Sequence, residues 1–418
     1  MTYPDSVQFL YALGNEIKTA KLGLDRISTV LDALGRPQDR LRIAHVAGTN
    51  GKGSTCAMIE SGLRAAGHRT GLFTSPHLAE PTERIQIDGH PIPAARFTAA
   101  FEQVHAAVER SLDMHTTYFE TVTAMALLVF AAERVDRVVL EVGLGGRLDA
   151  TNVVSPELCV ITPIDYDHEQ YLGRGLESIA GEKAGILKSG VSVVVAPQRE
   201  EAERVISARA GELGVKIVPA MTPTDVEIDA RTSRFHLGDL RIQCPLAGEH
   251  QVQNAATAAT ALVQFGVPSD AIELGIAAAR WPGRLEHVHT NPDIILDGAH
   301  NPAGARALAA YIDRFYAARP VRLIFGAMRD KAIDEIAGVL FPRARQVVVT
   351  APKQSRALAP EAIAEIAQHP HMRCAASLDD ALALVADATP NEAIFITGSL
   401  FLVAEARTLL PTRRHSDS

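Results

Sequence analysis

The stretch Gly48-Thr49-Asn50-Gly51-Lys52-Gly53-Ser54-Thr55 constrains this chain more than any other. Leu41-Arg42-Ile43-Ala44-His45-Val46, just before it, reads as a buried strand, and Cys56 to Leu63, just after it, has helical spacing. A glycine-rich turn from a strand into a helix points backbone N–H groups at whatever sits before the helix N-terminus, and phosphate suits that place. Lys52 adds a point charge for the outer phosphates, and Ser54 or Thr55 can supply a hydroxyl near a magnesium ion. The fit to the common phosphate-loop pattern is loose, with Val46 standing where that pattern has glycine and Gly53 where it has serine or threonine. A bare glycine turn is the rival reading, and the strand-before, helix-after context decides for nucleotide binding.

At 418 residues the chain exceeds one ordinary domain, so roughly two or three are expected. Apolar residues make up 47%, enough for well-formed cores, while the net charge of -8 argues against a nucleic-acid groove as the main business. The four cysteines, Cys56, Cys159, Cys244 and Cys374, form no CxxC pair, which argues against a zinc site or disulfide framework and fits a reduced, cytoplasmic setting. The first residues lack a basic stretch followed by an apolar run, so no signal peptide is read, and the apolar run 124–132 is too short to span a bilayer.

Apolar β-like runs at 43–47, 70–73, 137–142, 158–162 and 191–196 alternate with helical patterns at 53–66, 94–110, 119–134 and 254–265. Strands apolar throughout, separated by helices, indicate an α/β fold with a parallel-rich sheet. The turn chemistry of Trp281-Pro282-Gly283-Arg284-Leu285-Glu286 marks a boundary near 287–292, giving units of 1–288 and 289–418. In the second, smaller α/β unit, strands at 294–296, 322–325, 346–350 and 393–397 interleave with helices at 303–315, 333–340 and 378–386. The polar tail from 411 reads as frayed.

Functional groups in such sheets gather at the carboxyl ends of parallel strands. Glu141 ends one strand, where a carboxylate can hold magnesium; a salt-bridged strand-end acid is the plain alternative. After it, Gly143, Gly145 and Gly146 let backbone pack closely, and Arg147 and Asp149 are then presented from a mobile loop. His168 follows another strand together with Asp165 and Asp167, although magnesium prefers oxygen ligands to imidazole. Ser75, fixed before Pro76, could bind magnesium or cap a turn, and Tyr118-Phe119 could stack on a flat ring or sit in the core. Lys183, between Gly181 and Gly185, reads by itself as a solvated surface lysine. In the second unit, Asn301 and Pro302 suit a helix start, which leaves Asp297 and His300 for ligands; Gly398-Ser399 makes a similar turn.

Five segments, taken in order, resemble the folylpolyglutamate synthase/dihydrofolate synthase branch of the Mur-ligase-like superfamily. They are Gly48 to Ser54, Thr74 to Leu78, Glu141 to Asn152, Glu182 to Ile186, and Asp297 to Pro302, within a likeness running from about residue 20 to about 405. That family's loop has the same Thr-Asn-Gly-Lys-Gly-Ser form, and Lys21-Leu22-Gly23-Leu24-Asp25-Arg26 resembles an N-terminal family segment. The resemblance implies an N-terminal ATPase domain and a smaller Rossmann-like C-terminal domain, with the active site in the cleft between them. It implies that Gly48, Asn50, Gly51, Lys52, Gly53 and Ser54 hold the ATP phosphates, and that Asn254, Arg284 and Asp297 also contact the nucleotide. Ser75 and Glu141 are expected to hold one magnesium ion and His168 a second, with Lys183 carbamylated and so able to offer oxygen. Thr117, Tyr118 and Phe119 are expected on the pterin substrate, Arg147 and Asp149 in substrate binding, and His300 and Ser399 on the incoming glutamate.

The implied reaction is ATP-dependent amide formation through an acyl phosphate, with Lys52, Lys183 and His300 as the catalytic set. Substrates would be dihydropteroate, reduced folates or both, together with L-glutamate and ATP; a monomer without nucleic-acid or membrane partners is expected. A cell-wall Mur-type ligase is a weaker match, since a whole UDP-sugar domain would precede the loop and only 47 residues precede Gly48 here. A P-loop NTPase without ligase activity would need neither the Asp297/His300 turn nor Lys183.

Overall fold

The computed structural model describes residues 1–14, 23–111 and 115–410. Lys21 and Leu22 of the N-terminal family segment, and the tail from 411, lie outside the described residues. The chain divides into two units. The first is formed by Met1–Thr224, His236–Ile242 and Gln253–Ala279, the second by Asp225–Phe235, Gln243–Val252 and Arg280–Ser418.

Eight strands build the sheet of the first unit: β1 (Ile43–Ala47), β2 (Thr70–Phe73), β3 (Ile85–Ile87), β4 (His90–Pro91), β5 (Arg137–Glu141), β6 (Leu158–Ile161), β7 (Val193–Val195) and β8 (Ile217–Pro219). Their order is β4-β3-β2-β5-β1-β6-β7-β8. The six strands from β2 to β8 run parallel, and β3 and β4 add an antiparallel edge. The parallel part was legible as apolar runs, because β1, β2, β5 and β6 are buried at every position and covered on both faces. The edge hairpin was not read from sequence. Its signal is Asp88-Gly89, both at positive φ (51° and 75°), which suits a tight two-residue turn between paired Ile87 and His90.

The helices of the chain's first part are α1 (Tyr3–Ala12), α2 (Asp25–Ala33), α3 (Lys52–Ala65), α4 (Ala94–Ser111), α5 (Tyr118–Glu133), α6 (Glu169–Leu172), α7 (Leu176–Ala184) and α8 (Glu200–Leu213). One core joins α2, α4 and α5 to β1, β2 and β5, through Ile27, Phe97, Phe101, Phe130, Ile43 and Leu140 among others. Another joins α7 and α8 to β6 and β7, through Ile179, Ile206, Ile161 and Val193. Three short strands follow, β9 (Thr224–Ile228), β10 (Ser233–Leu237) and β11 (Leu240–Cys244), then α9 (Glu249–Gln264) and α10 (Ser269–Ala278). Helix α10 lies hard against α3: a Cβ on Gly275 would stand 2.3 Å from the Gly62 Cα.

The second unit carries a six-stranded sheet of β12 (Glu286–His289), β13 (Asp293–Leu296), β14 (Val321–Phe325), β15 (Gln346–Val349), β16 (Met372–Cys374) and β17 (Ala393–Thr397), in the order β12-β13-β17-β14-β15-β16. All pairs are parallel except β12 with β13. Its helices are α11 (Pro302–Phe315), α12 (Ile333–Leu340), α13 (Pro360–Ile366), α14 (Leu378–Ala383) and α15 (Leu400–Leu409). Among the described residues no helix is long and apolar enough to cross a membrane.

Candidate active site

The first unit gathers its chemistry at the carboxyl ends of β1, β2, β5 and β6. Between β1 and α3, Gly48 and Gly51 take φ of 149° and 82°. Both positions also forbid a side chain: a Cβ on Gly48 would lie 1.9 Å from Thr162 Oγ1, and one on Gly51 2.2 Å from Asn254 Oδ1. The loop is sewn to the segment after β6, since Thr49 and Asn50 N–H both donate to Pro163 O (3.0 and 3.2 Å) and the Thr49 hydroxyl donates to Asp165 O (2.9 Å). Lys52 Nζ curls back to the Gly48 and Thr49 carbonyls, 3.1 Å from each. Ser54 is buried in the first turn of α3.

Lys183, in the last turn of α7, is 5% exposed, so the surface-lysine reading fails. The apolar residues around it place that turn against the sheet, and Nζ donates to Gly48 O at 2.7 Å. Two amines thus converge on one carbonyl. Burial, and then the charge of Lys52, push the Lys183 pKa down to about 7, against the pull of Asp167, Asp149 and Glu182. A near-neutral amine can react with carbon dioxide, as an ammonium cannot.

Glu141 pairs in register with Val46 and is buried, and its Oε2 accepts the Ser75 N–H at 3.0 Å. Ser75 opens a loop closed at its neck by the Thr74 N–H on Arg84 O, and pinned by Glu83, which accepts from Leu78, Ala79 and Glu80. His77 takes Arg84 Nε–H on Nδ1 at 2.8 Å; burial and that cation push its pKa down to about 3. His168 sits at the start of α6 at φ 54°, a strained backbone for a non-glycine residue. Its ring lies 3.8 Å from Asp167.

Both aromatics pack on the core. Thr117 caps α5 in a reciprocal box with Glu120, and Tyr118 is core, with Arg84 over its ring at 5.0 Å and Tyr11 stacked on it. Phe119 is half-buried and lies across the backbone of Gly143, where a Cβ would come within 2.5 Å of its ring.

Asp149 does not project from its loop, whereas the Arg147 side chain is exposed. The Asp149 carboxylate is buried and filled from its own turn: Oδ2 accepts from Gly143 and Leu144 N–H (3.1 and 2.8 Å), and Oδ1 accepts from Thr151 N–H and hydroxyl (3.0 and 2.5 Å). Arg147 grips Glu182 on α7. Thr162, Gln198 and Asn152 also shape this region. Gln198 joins Thr162 O to the Ile164 N–H, and Asn152 joins Arg147 O to Gly185 O; nothing in their spacing announces this.

In the second unit the carboxyl ends of β13 and β17 lie side by side. Asp297 is buried, accepts from Leu285 and Ala299 N–H at 3.0 Å each, and has its pKa raised by burial against the nearby Arg284. Gly298 makes room for Arg284, whose Nη1 lies where a Cβ would press at 2.3 Å. His300 Nδ1 lies 2.7 Å from Gly298 O. A carbonyl only accepts, so Nδ1 carries the proton and Nε2 is the acceptor nitrogen. Asn301 caps α11 with Pro302 in its first turn, and Ser399, buried, caps α15.

Among the described residues no cluster of three or more His, Cys, Asp or Glu could hold a metal. The buried Glu141 carboxylate, which accepts the Ser75 N–H, is an oxygen donor of the kind magnesium takes, and the Lys183 amine would be one only if it gained oxygens.

Residues 46–262 match the Mur ligase middle domain and residues 283–400 the Mur ligase, glutamate ligase domain. The chain is 36% identical to the dihydrofolate synthase/folylpolyglutamate synthase of Bacillus subtilis, over 93% of this chain and 95% of that one. Among solved structures it is similar to Mycobacterium tuberculosis folylpolyglutamate synthase complexed with ADP and AMPPCP (TM-score 0.90, 36% identity, 98% and 99% of the two chains). It is equally similar to Escherichia coli FolC in complex with DHPP and ADP (TM-score 0.90, 33% identity, 99% of each chain). The phosphate loop, the buried lysine beside it and the Asp297–His300 turn thus sit in a chain that belongs to the dihydrofolate synthase/folylpolyglutamate synthase family of Mur ligases.

Proposed function

We propose that this chain is an ATP-dependent ligase that joins L-glutamate to dihydropteroate, to reduced folates, or to both. The observation that carries the reading is the convergence of Lys52 and Lys183 on Gly48 O, beside the buried Glu141. A carboxylate is a poor electrophile, and transfer of the ATP γ-phosphoryl group to it creates an acyl phosphate with phosphate as leaving group. Glu141 and Ser75 would hold one magnesium ion, and His168 with a carbamylated Lys183 a second, the metals' chemistry being neutralisation of phosphate charge. Gly48, Asn50, Gly51, Gly53 and Ser54 shape the phosphate cradle, and Lys52 supplies its mobile cation. Asn254 braces Gly51 and is assigned to the nucleotide, as are Arg284 and Asp297.

Phe119 offers the face for the pterin ring, with Thr117 and Tyr118 holding it from the start of α5; Arg147 and Asp149 shape the loop it faces. His300 and Ser399 are assigned to the glutamate. An attacking amine must lose a proton, and His300 Nε2 is the nitrogen able to take one in the tautomer set by Gly298 O. Residues 1–288 would carry the ATP and pterin chemistry and 289–418 the glutamate ligase part, in a cytoplasmic monomer.

The test is ADP release with ATP, magnesium and glutamate, run separately with dihydropteroate and with a reduced folate, and products weighed by mass spectrometry. Glutamate-dependent amide product with one or both substrates is expected, and identifies the range. Lys52→Ala should abolish product while leaving thermal melting unchanged. ATP hydrolysis without amide product, or near-normal turnover by Lys52→Ala, overturns the reading.

A further inference from the structure

Loop 143–152 and the end of α7 are built to touch. A Cβ on Gly146 would lie 2.7 Å from Glu182 O, and one on Gly185 2.3 Å from the Arg147 Cβ, so both glycines are demanded by contact between the two segments. The contact is bonded at three points. Arg147 N–H donates to Glu182 O at 2.8 Å, Arg147 Nε and Nη2 both reach Glu182 Oε1 (3.1 and 2.7 Å), and Asn152 Nδ2 bridges Arg147 O and Gly185 O (2.9 and 3.2 Å). The loop is itself rigid, because Asp149 fills its interior. Lys183 lies between the two gripped residues, Glu182 and Gly185.

We infer that Arg147 is a positioning residue for the ligase reaction: its grip on Glu182 fixes the last turn of α7 and so places Lys183 Nζ against the Gly48 carbonyl of the phosphate loop. This inference rests on the reading of Lys183 given above. The Arg147 side chain is 59% exposed, so its ion pair is screened by solvent and contributes little to folding. Its loss should leave a folded protein in which one amine is misplaced, and ångström-scale misplacement is enough to slow a reaction that depends on positioning.

The decisive variant is Arg147→Met. Turnover should fall about 10- to 100-fold, while the Kd for an ATP analogue, measured by calorimetry, stays within about twofold because the Gly48–Ser54 loop is untouched. Lys183 should become more accessible: reductive dimethylation of its amine in carbon dioxide-free buffer, followed by peptide mass spectrometry, should run several-fold faster than in the wild type. Arg147→Lys should recover most of the turnover. The double variant Arg147→Met/Glu182→Gln should be no worse than Arg147→Met alone, as befits two residues acting as a unit. Wild-type labelling of Lys183 in Arg147→Met overturns the inference, and a raised KM for the pterin substrate beside it makes Arg147 a substrate contact. Additive losses in the double variant overturn it as well. Lys183→Ala separates the two levels: normal turnover there means that the reading of Lys183 has failed, whereas a dead Lys183→Ala beside a fully active Arg147→Met means that only the grip has.

Discussion

Asp149→Asn tests whether this carboxylate is a loop staple or a ligand group. In the native turn each carboxylate oxygen accepts two donors, Gly143 and Leu144 N–H on one, Thr151 N–H and hydroxyl on the other. Asparagine keeps the shape but turns one of those oxygens into an NH2 group. Facing Gly143 and Leu144 the new NH2 leaves two buried N–H groups unmet, whereas facing Thr151 it leaves one, because the hydroxyl can turn and accept. Each orphaned buried donor costs about 1–3 kcal/mol, so the amide settles towards Thr151. Burial itself works against the native charge, raising the Asp149 pKa, so removing that charge offsets part of the loss. The net expectation is a destabilisation of about 1–3 kcal/mol, or a melting point lowered by roughly 2–10 °C for a unit of this size. Urea titration followed by far-UV circular dichroism, with the slope checked against the wild type, measures the free energy directly. A loss below about 0.5 kcal/mol, the range of ordinary surface substitutions, together with a raised KM for the pterin substrate, would refute the staple argument and return Asp149 to the substrate.

Two further outcomes follow from the phosphate loop. Gly51→Ala forces a Cβ to within 2.2 Å of Asn254 Oδ1 at φ 82°, so the loop must shift; nucleotide affinity should fall at least about tenfold by calorimetry, and an unchanged Kd would mean that the loop yields freely. Lys183 takes up its proton near 10.5 when unfolded and near 7 when folded, so between those values the unfolded state holds more protons and stability declines as the pH drops. Lys183→Met should therefore stabilise the protein at pH 7 by about 2–5 kcal/mol while abolishing ligation, with the gain vanishing near pH 10.5. Denaturant titrations at the two pH values in carbon dioxide-free buffer check this, and equal stability at pH 7 would sink it.

What could be read from the chain alone was local. Strands β1, β2 and β17 fall at the residues their apolar runs predict, because a strand buried along its whole length writes its own limits in composition, and helix α12 falls where its apolar spacing predicts. The phosphate loop was legible for the same reason, as a glycine turn whose flanks fix its context. Long-range facts were silent. Nothing near Lys183 reveals that α7 packs it against Gly48, 135 residues earlier in the chain, so alone it read as a surface lysine. Asp149 looked presented because a charged residue after glycines ordinarily is, and only the inward turn of Gly143–Leu144 supplies the donors that bury it.

The close approach of Gly62 and Gly275 bears on how this protein is made. Helix α3, which begins at Lys52 and carries the start of the phosphate loop's helix, is held by a helix that leaves the ribosome more than two hundred residues later, and Gly51 is braced by Asn254 from the same late stretch. The nucleotide site therefore cannot be completed while the first strands emerge. For most of synthesis the nascent chain holds a sheet whose central helix lacks its cover, a span in which exposed apolar surface invites chaperone capture.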